Sequence, residues 1–207
     1  MLMYLIIRFH RQSIDNHSMI KKINQFLNKH ELKLLQQYWV LREDFLTPTK
    51  ATNCVGAFES YADTLSETLL VNKKYLIEEI IKEPLLPACA FSRLYPHKVA
   101  LGRHCDRPAC EVSISLNIFA DKDWSLWFVP INNKNKKPQG EITKPGDAIL
   151  YEGCAYEHWR NPYRGKKCMQ IFLHYVRAKG NYTIHAKDGR HKLGQDGMIL
   201  TTNVWNS

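Results

Sequence analysis

The chain has 207 residues, 44% of them hydrophobic, and a formal net charge of +9. That length and composition suit one domain with a sizeable core and exclude bulk disorder; no stretch approaches the ~18 apolar residues of a membrane span. Lys and Arg outnumber Asp and Glu by 29 to 20 but are scattered, with one small cluster at Lys134, Lys136 and Lys137. A solvated basic surface is therefore expected, and nucleic acid is a partner allowed but not favoured.

The six cysteines (Cys54, Cys89, Cys105, Cys110, Cys154, Cys168) show no Cys-x-x-Cys spacing, which argues against a zinc knuckle or a disulfide scaffold. Reduced thiols in a cytoplasmic protein are the expectation, with no membrane partner. The opening Met1-Leu2-Met3-Tyr4-Leu5-Ile6-Ile7 is apolar but short, without the basic lead-in of a signal peptide. Met3 and Met19 are alternative starts, and the first 18 residues are read as dispensable.

In chain order, Ser18 is expected to cap a short helix carrying Ile20, Ile23, Phe26 and Leu27 on one face, interrupted at Asn28-Lys29-His30. Leu32, Leu35 and Trp39 give a second helical stripe. The polar run 47–53, with Pro48, reads as a loop. Thr64 followed by Glu67 matches a capping box. Leu76, Ile77, Ile80 and Ile81 then recur at helical spacing until Pro84 and Pro87 end the helix. Beyond Pro87 the pattern turns to β, with expected strands at 88–95, 98–104, 111–119, 124–129, 141–143, 148–151 and 168–176. Turn signals such as Pro96-His97, Asn132-Asn133 and Pro145-Gly146-Asp147 separate them. Such strands suggest a sandwich or barrel of the jelly-roll or cupin kind, with the helices packed on one face. The reading is one domain over 1–207: a mainly helical part over 1–87, a β core over 88–177 and an extension over 178–207. In that extension 182–184 and 198–200 are candidate edge strands.

The chemistry centres on His104-Cys105-Asp106. Two residues apart on a strand, His104 and Asp106 share a face while Cys105 points away. His-x-Asp alone is a weak signal. The downstream His158-Trp159-Arg160 adds a second imidazole, expected on the turn before the last strand. Two imidazoles and one carboxylate on one side of a metal leave coordination positions open, the donor set of non-heme Fe(II) oxygenases.

With these residues in this order, residues 85–176 resemble the 2-oxoglutarate/Fe(II)-dependent oxygenases, especially the prolyl-4-hydroxylase-like branch. The family pattern is His-x-Asp, a distal His, then a Lys or Arg roughly ten residues on; His104, Asp106, His158 and Lys167 match it. The Pro145-Gly146-Asp147 turn and its apolar strand match as well. Residues 101–111 and 151–176 further resemble small oxygenase-like proteins of bacteria and phages. The resemblance implies a mostly β fold with N-terminal helices and a double-stranded β-helix core. It implies a catalytic metal on His104, Asp106 and His158, Fe(II) as that metal, 2-oxoglutarate as cosubstrate, O₂, and ascorbate as an accessory. It implies hydroxylation of a C–H bond in a small molecule or in a peptide side chain such as proline.

2-Oxoglutarate is a dianion, and its far carboxylate needs a fixed cation. Arg160, Arg164, Lys166 and Lys167 follow the distal His. Gly165-Lys166-Lys167 resembles the Gly-x-Lys of prolyl hydroxylases, so Lys167 is the favoured anchor, with Arg164 and Arg160 as alternatives. Arg103 and Arg107 have two readings, substrate anions or pairing with Glu111 or Asp121. Trp159 and Tyr156 read as core packing over a place at the substrate mouth. Ser115 and Asn117 face either the site or the polar side of a half-buried strand. His174 and His185 read as structural or exposed. Two other functions stay open: a non-catalytic cupin-like module for a metal or anion, and an oxygenase acting on modified bases. The second calls for a basic groove with interleaved aromatics.

Overall fold

The structure of the chain, a computed structural model, describes residues 19–194. The apolar start, Ser18 and the 198–200 strand candidate lie outside them. Among the described residues two antiparallel sheets face each other. The larger has the order β1-β9-β6-β11-β4-β3-β2 and the smaller β5-β10-β7-β8. The large sheet holds β1 (Ile20–Ile23), β2 (Thr47–Pro48), β3 (Phe58–Tyr61), β4 (Leu85–Pro96), β6 (Val112–Ala120), β9 (Ala148–Tyr151) and β11 (Lys167–Arg177). The small sheet holds β5 (Leu101–His104), β7 (Leu126–Pro130), β8 (Gln139–Glu141) and β10 (Tyr156–Arg160). This is the expected mostly β, double-stranded β-helix class, with helices α1 (Lys29–Arg42) and α2 (Thr64–Ile81). No described helix is long and apolar enough to cross a membrane.

The helices cover the outer face of the large sheet, as expected. Leu35, Trp39, Leu70 and Ile77 share one buried cluster with Ile114, Leu116, Ile171 and Leu173. Strand alternation divides β6 and β11 between two interiors. Val112, Ile114 and Leu116 face the helices, and Ser113 and Ser115 face the space between the sheets. On β11 Met169, Ile171 and Leu173 face the helices, whereas Cys168 and Phe172 lie between the sheets. β6 is therefore buried on both faces rather than half-buried.

The N-terminal part departs from the sequence reading. Ile20–Ile23 is a strand rather than a helix, because it adds an edge to the large sheet with Ile20 opposite Tyr151 and Ile23 opposite Ala148. Asn28 does not interrupt a helix but starts α1. Its side chain accepts from His30 N and Glu31 N, and Glu31 answers in a capping box. The expected capping box at Thr64 and Glu67 is absent. Asp63 caps α2 by accepting from Ser66 N, while Glu67 turns inward to Arg190. The polar run after Leu46 carries β2, so the part expected to be mainly helical contributes three strands. Pro84 lies between α2 and β4, but Pro87 lies inside β4. There Cys89 faces His174 and Pro87 faces Tyr175, which leaves Ala88 as a bulge that tolerates the missing donor. The expected strand at 182–184 is a 3₁₀ turn, Thr183–Gly189. Lys187 and Asp188 sit there at φ 55°, outside any strand conformation.

Pro145-Gly146-Asp147 turns as expected, with Gly146 at φ +90°. Asp147 ties the turn down by accepting from Lys144 N and Gln25 N. This delivers β9 between β1 and β6 and sets the wall behind the site.

Candidate active site

β5 and β10 pair so that His104 lies directly opposite His158. His158 is thus mid-strand, not on a turn. Tyr156, His158 and Arg160 are buried and alternate with the half-buried Glu157 and Trp159. Two polar residues on the buried face hide the hydrophobic alternation by which a strand is read. The imidazole centroids are 4.3 Å apart.

Each ring is oriented by its own strand. His104 Nδ1 bonds Gly102 O at 2.8 Å and His158 Nδ1 bonds Tyr156 O at 3.1 Å. A carbonyl only accepts, so each Nδ1 carries a proton and Nε2 is the nitrogen each ring turns to the site. Both Nε2 atoms face Asp106 Oδ1, at 3.7 Å from His104 and 3.5 Å from His158. Asp106 lies just past the end of β5. Its N–H donates to Gly153 O at 3.0 Å, and Ser113 Oγ donates to its Oδ2 at 3.1 Å. Burial pushes the Asp106 carboxyl up, but the hydrogen bond and charge of His158, with His174 and His104, outweigh it and hold the pKa at about 2. Burial, then the neighbouring His158, lowers the pKa of His104 and favours the neutral ring. One ligand atom from each of the three residues falls within 4.8 Å of the others. Two imidazoles presenting Nε2 and an ionised carboxylate fit a divalent cation, whose binding would displace any proton on Nε2.

The triad opens on a cavity of about 420 Å³ between the sheets, walled by Phe91, Arg93, Leu126, Tyr151, Phe172 and His174. Three of the residues around it escape sequence reasoning. Gly153 is required by close approach: a Cβ there would stand 2.3 Å from Asp106 Oδ2 and 2.3 Å from Cys110 O. Ser113 links Asp106 to His174 Nδ1, at 2.9 Å from the latter, so His174 belongs to the cavity wall. Arg93 enters from β4, with Nη1 3.5 Å from Tyr95 Oη and Nη2 3.2 Å from Glu59. Only the Glu152-Gly153 turn carried a sequence signal, as a Gly between two strands.

The three candidate anchors separate. Lys167 does not point into the barrel. Cys168 takes the inward position, and the Lys167 ammonium pairs with Glu43 and covers Phe119 on the outside. Arg164 is exposed. Arg160 is buried at 2% exposure. Its Nη1 donates to Trp124 O at 2.7 Å and its Nη2 to Ser115 Oγ at 3.2 Å and Gln170 Oε1 at 3.4 Å. Its guanidinium covers Trp124, and Nε has no partner. No described carboxylate pairs with it, and burial lowers its pKa. Asn117, also inward, donates to Thr143 O.

Arg103 and Arg107 pair with neither Glu111 nor Asp121. Arg103 pairs with Glu157 and Arg107 with Asp188, because Glu111 is taken by Arg177 and Asp121 by the Lys166 N–H. Trp159 sits on the outer face of the small sheet, stacked with Trp127 at 6.5 Å and covered by Arg103 at 4.8 Å. Tyr156 packs in the core. Lys134 in the β7–β8 loop pairs with Glu157 beside this face.

No family model matches the chain, and no curated protein matches it. Solved structures do. A Pseudomonas putida prolyl-4-hydroxylase is 15% identical at TM-score 0.63, covering 78% of this chain and 94% of that one. A 2OG-Fe(II) oxygenase family oxidoreductase from Burkholderia pseudomallei is 14% identical at TM-score 0.64, covering 80% and 88%. A Trichoplax adhaerens prolyl hydroxylase, in complex with a hypoxia inducible factor peptide fragment, is 17% identical at TM-score 0.59, covering 79% and 86%. The chain therefore has the fold of the 2-oxoglutarate/Fe(II) oxygenases.

Proposed function

We propose that the chain is a 2-oxoglutarate- and Fe(II)-dependent dioxygenase that hydroxylates a C–H bond of a small molecule or peptide. The observation that carries this reading is the His104–Asp106–His158 set at the mouth of a barrel that holds a buried guanidinium without a carboxylate partner. His104, Asp106 and His158 would hold Fe(II) through their Nε2 and carboxylate atoms. When bound, iron and 2-oxoglutarate supply the oxidising chemistry, consuming O₂, releasing succinate and CO₂, and adding oxygen to the substrate.

The chain's own residues bind, orient and exclude water. A buried cation with only neutral acceptors is costly until an anion joins it, and Arg160 meets that need with the far carboxylate of 2-oxoglutarate. Arg93 and Tyr95 bring a second cation and a hydroxyl toward the same part of the barrel. Phe91, Leu126 and Phe172 keep the wall apolar, which strengthens the electrostatics inside it. The peptide held by the Trichoplax neighbour supports a peptide among the candidate substrates. Six free cysteines support a reducing, cytoplasmic setting, and ascorbate would serve as reductant.

The test is succinate formation from 2-oxoglutarate with Fe(II) and O₂, with and without candidate peptides. Wild type is expected to turn over and Asp106→Ala to lose both iron binding and turnover while keeping its fold. Iron binding without any turnover across substrates would favour the non-catalytic cupin-like module. One observation favours the nucleic-acid reading: the stacked Trp127 and Trp159, with Arg103 over one ring and Lys134 nearby, make an aromatic, basic platform. Glu157 offsets both cations, so oligonucleotides are expected to bind weakly and to be released by salt.

A further inference from the structure

Behind the triad carboxylate lies a second group of metal-ligand side chains. Asp106, Cys110 and His174 each offer a ligand atom within 4.8 Å of the others. Cys110 and His174 are 6% and 7% exposed. Cys89, at 1% exposure, lines the same cavity wall and, with burial, pushes the Cys110 thiol up. The four residues come from four places in the fold: β4, the loop after β5, the 3₁₀ turn Pro108–Cys110 and β11.

We infer that Asp106, Cys110 and His174, with Cys89 completing the set, form a second metal site for a thiolate-seeking divalent ion of the Zn(II) class. Two thiols, an imidazole and a carboxylate in a buried cluster are a zinc donor set, whereas the sulfur-free triad suits Fe(II). Asp106 serves both sites. Its Oδ1 faces His104 and His158, while its Oδ2 meets Ser113 Oγ, which also bonds His174 Nδ1. One carboxylate between two ions is the geometry of a two-metal centre. The cation nearest Cys89 Sγ, Arg107 at 3.8 Å, has its charge offset by the bidentate Asp188. An ion here would tie β4, the 3₁₀ turn and β11 to the triad carboxylate. The assignment goes beyond the dioxygenase reading and does not depend on it.

The test uses the full chain, reduced with a thiol-free phosphine, stripped with chelator and titrated with Co(II). Thiolate-to-cobalt charge-transfer absorption is expected in wild type and in the double variant His104→Ala/His158→Ala, to weaken in Cys110→Ser, and to vanish in Cys89→Ser/Cys110→Ser. Absence of the band in wild type, full strength in Cys110→Ser, or its survival in Cys89→Ser/Cys110→Ser would overturn the assignment. So would its loss in the histidine double variant, which would place the sulfur on the triad ion instead. If Cys110→Ser fails to fold, alkylation of wild type decides. Zn(II) should protect the Cys89 and Cys110 peptides and chelator should release them, and equal labelling with and without Zn(II) refutes the site. The two readings fail separately: a wild-type chain without turnover can still show the band, and one without the band can still form succinate. Asp106 is left intact in this test because it belongs to both groups.

Discussion

At the residue scale, the tightest constraint is at Gly153. The main chain there passes so close to Asp106 that any Cβ would overlap both Oδ2 and the Cys110 carbonyl. The carbonyl is main chain, and Asp106 meets the Cβ with its own Cβ as well, at 2.8 Å, so the backbone or Asp106 must move, and Asp106 is the carboxylate proposed to hold iron. Gly153→Ala should weaken iron binding by roughly 10- to 100-fold, the usual range for outer-shell damage, as read by metal titration of the folded variant. The second residue-scale prediction separates the anchors. A charge-assisted hydrogen bond contributes roughly 1.5–3 kcal/mol. Arg160→Ala should therefore raise the 2-oxoglutarate requirement by roughly 10- to 150-fold, at 1.4 kcal/mol per decade. Lys167→Ala should leave it unchanged, since that ammonium lies outside the barrel against Glu43. A defect in the lysine variant alone would move the anchor back to β11.

At the element scale, α2 rests on its first residues. Asp63 is 1% exposed and does three things at once. It caps Ser66 N at 2.9 Å, accepts from Tyr38 Oη, and lies 3.9 Å from the Arg42 guanidinium. Asp63→Ala should cost about 2 kcal/mol, the upper end for a lost N-cap, measured by urea unfolding. Thr64→Ala should cost under about 0.5 kcal/mol, as for an exposed substitution. The reverse order would restore the cap read from the sequence. The sequence signal there was real but shifted by one residue: a Thr and a Glu at the right spacing stand beside an Asp that caps better. Tertiary contacts then gave Glu67 other partners in Arg190 and the Gly194 N–H.

At the scale of the whole molecule, the C-terminal turn Thr183–Gly189 is latched across the cavity rim. Asp188 receives both Arg107 Nη atoms and Tyr61 Oη, and both partners line the cavity. Burial raises the Asp188 pKa, but the Arg107 and Tyr61 hydrogen bonds and the charges of Arg107 and Arg190 bring it below its ordinary value. A folded pKa below the unfolded one means that this stability is present above about pH 4, the unfolded aspartate value. It is lost as the pH falls through the lower folded pKa. Melting temperatures measured from about pH 7 down to pH 3 should fall less steeply in Asp188→Asn than in wild type. Identical slopes would show that the latch does not contribute.

The sequence by itself determined the class of the fold and named the residues of the candidate triad. His104, Asp106 and His158, the Pro145-Gly146-Asp147 turn and most of the β core are local signals, set by strand alternation and turn chemistry over a few residues. Three kinds of feature needed the tertiary structure. Short strands such as β1 and β10 exist because a sheet edge or a partner strand is there to receive them. Which cation enters the barrel depends on packing. On β11 Cys168 and Phe172 face the space between the sheets, and plain alternation puts Lys167 with Met169 and Ile171 on the helix side; which of these two faces is the inner one is set by how the sheets pack, so Cys168 points in and Lys167 out. The meeting of Cys89, Cys110 and His174 joins segments up to 85 positions apart in the sequence. No local pattern encodes that distance, because it is closed by the packing of the two sheets.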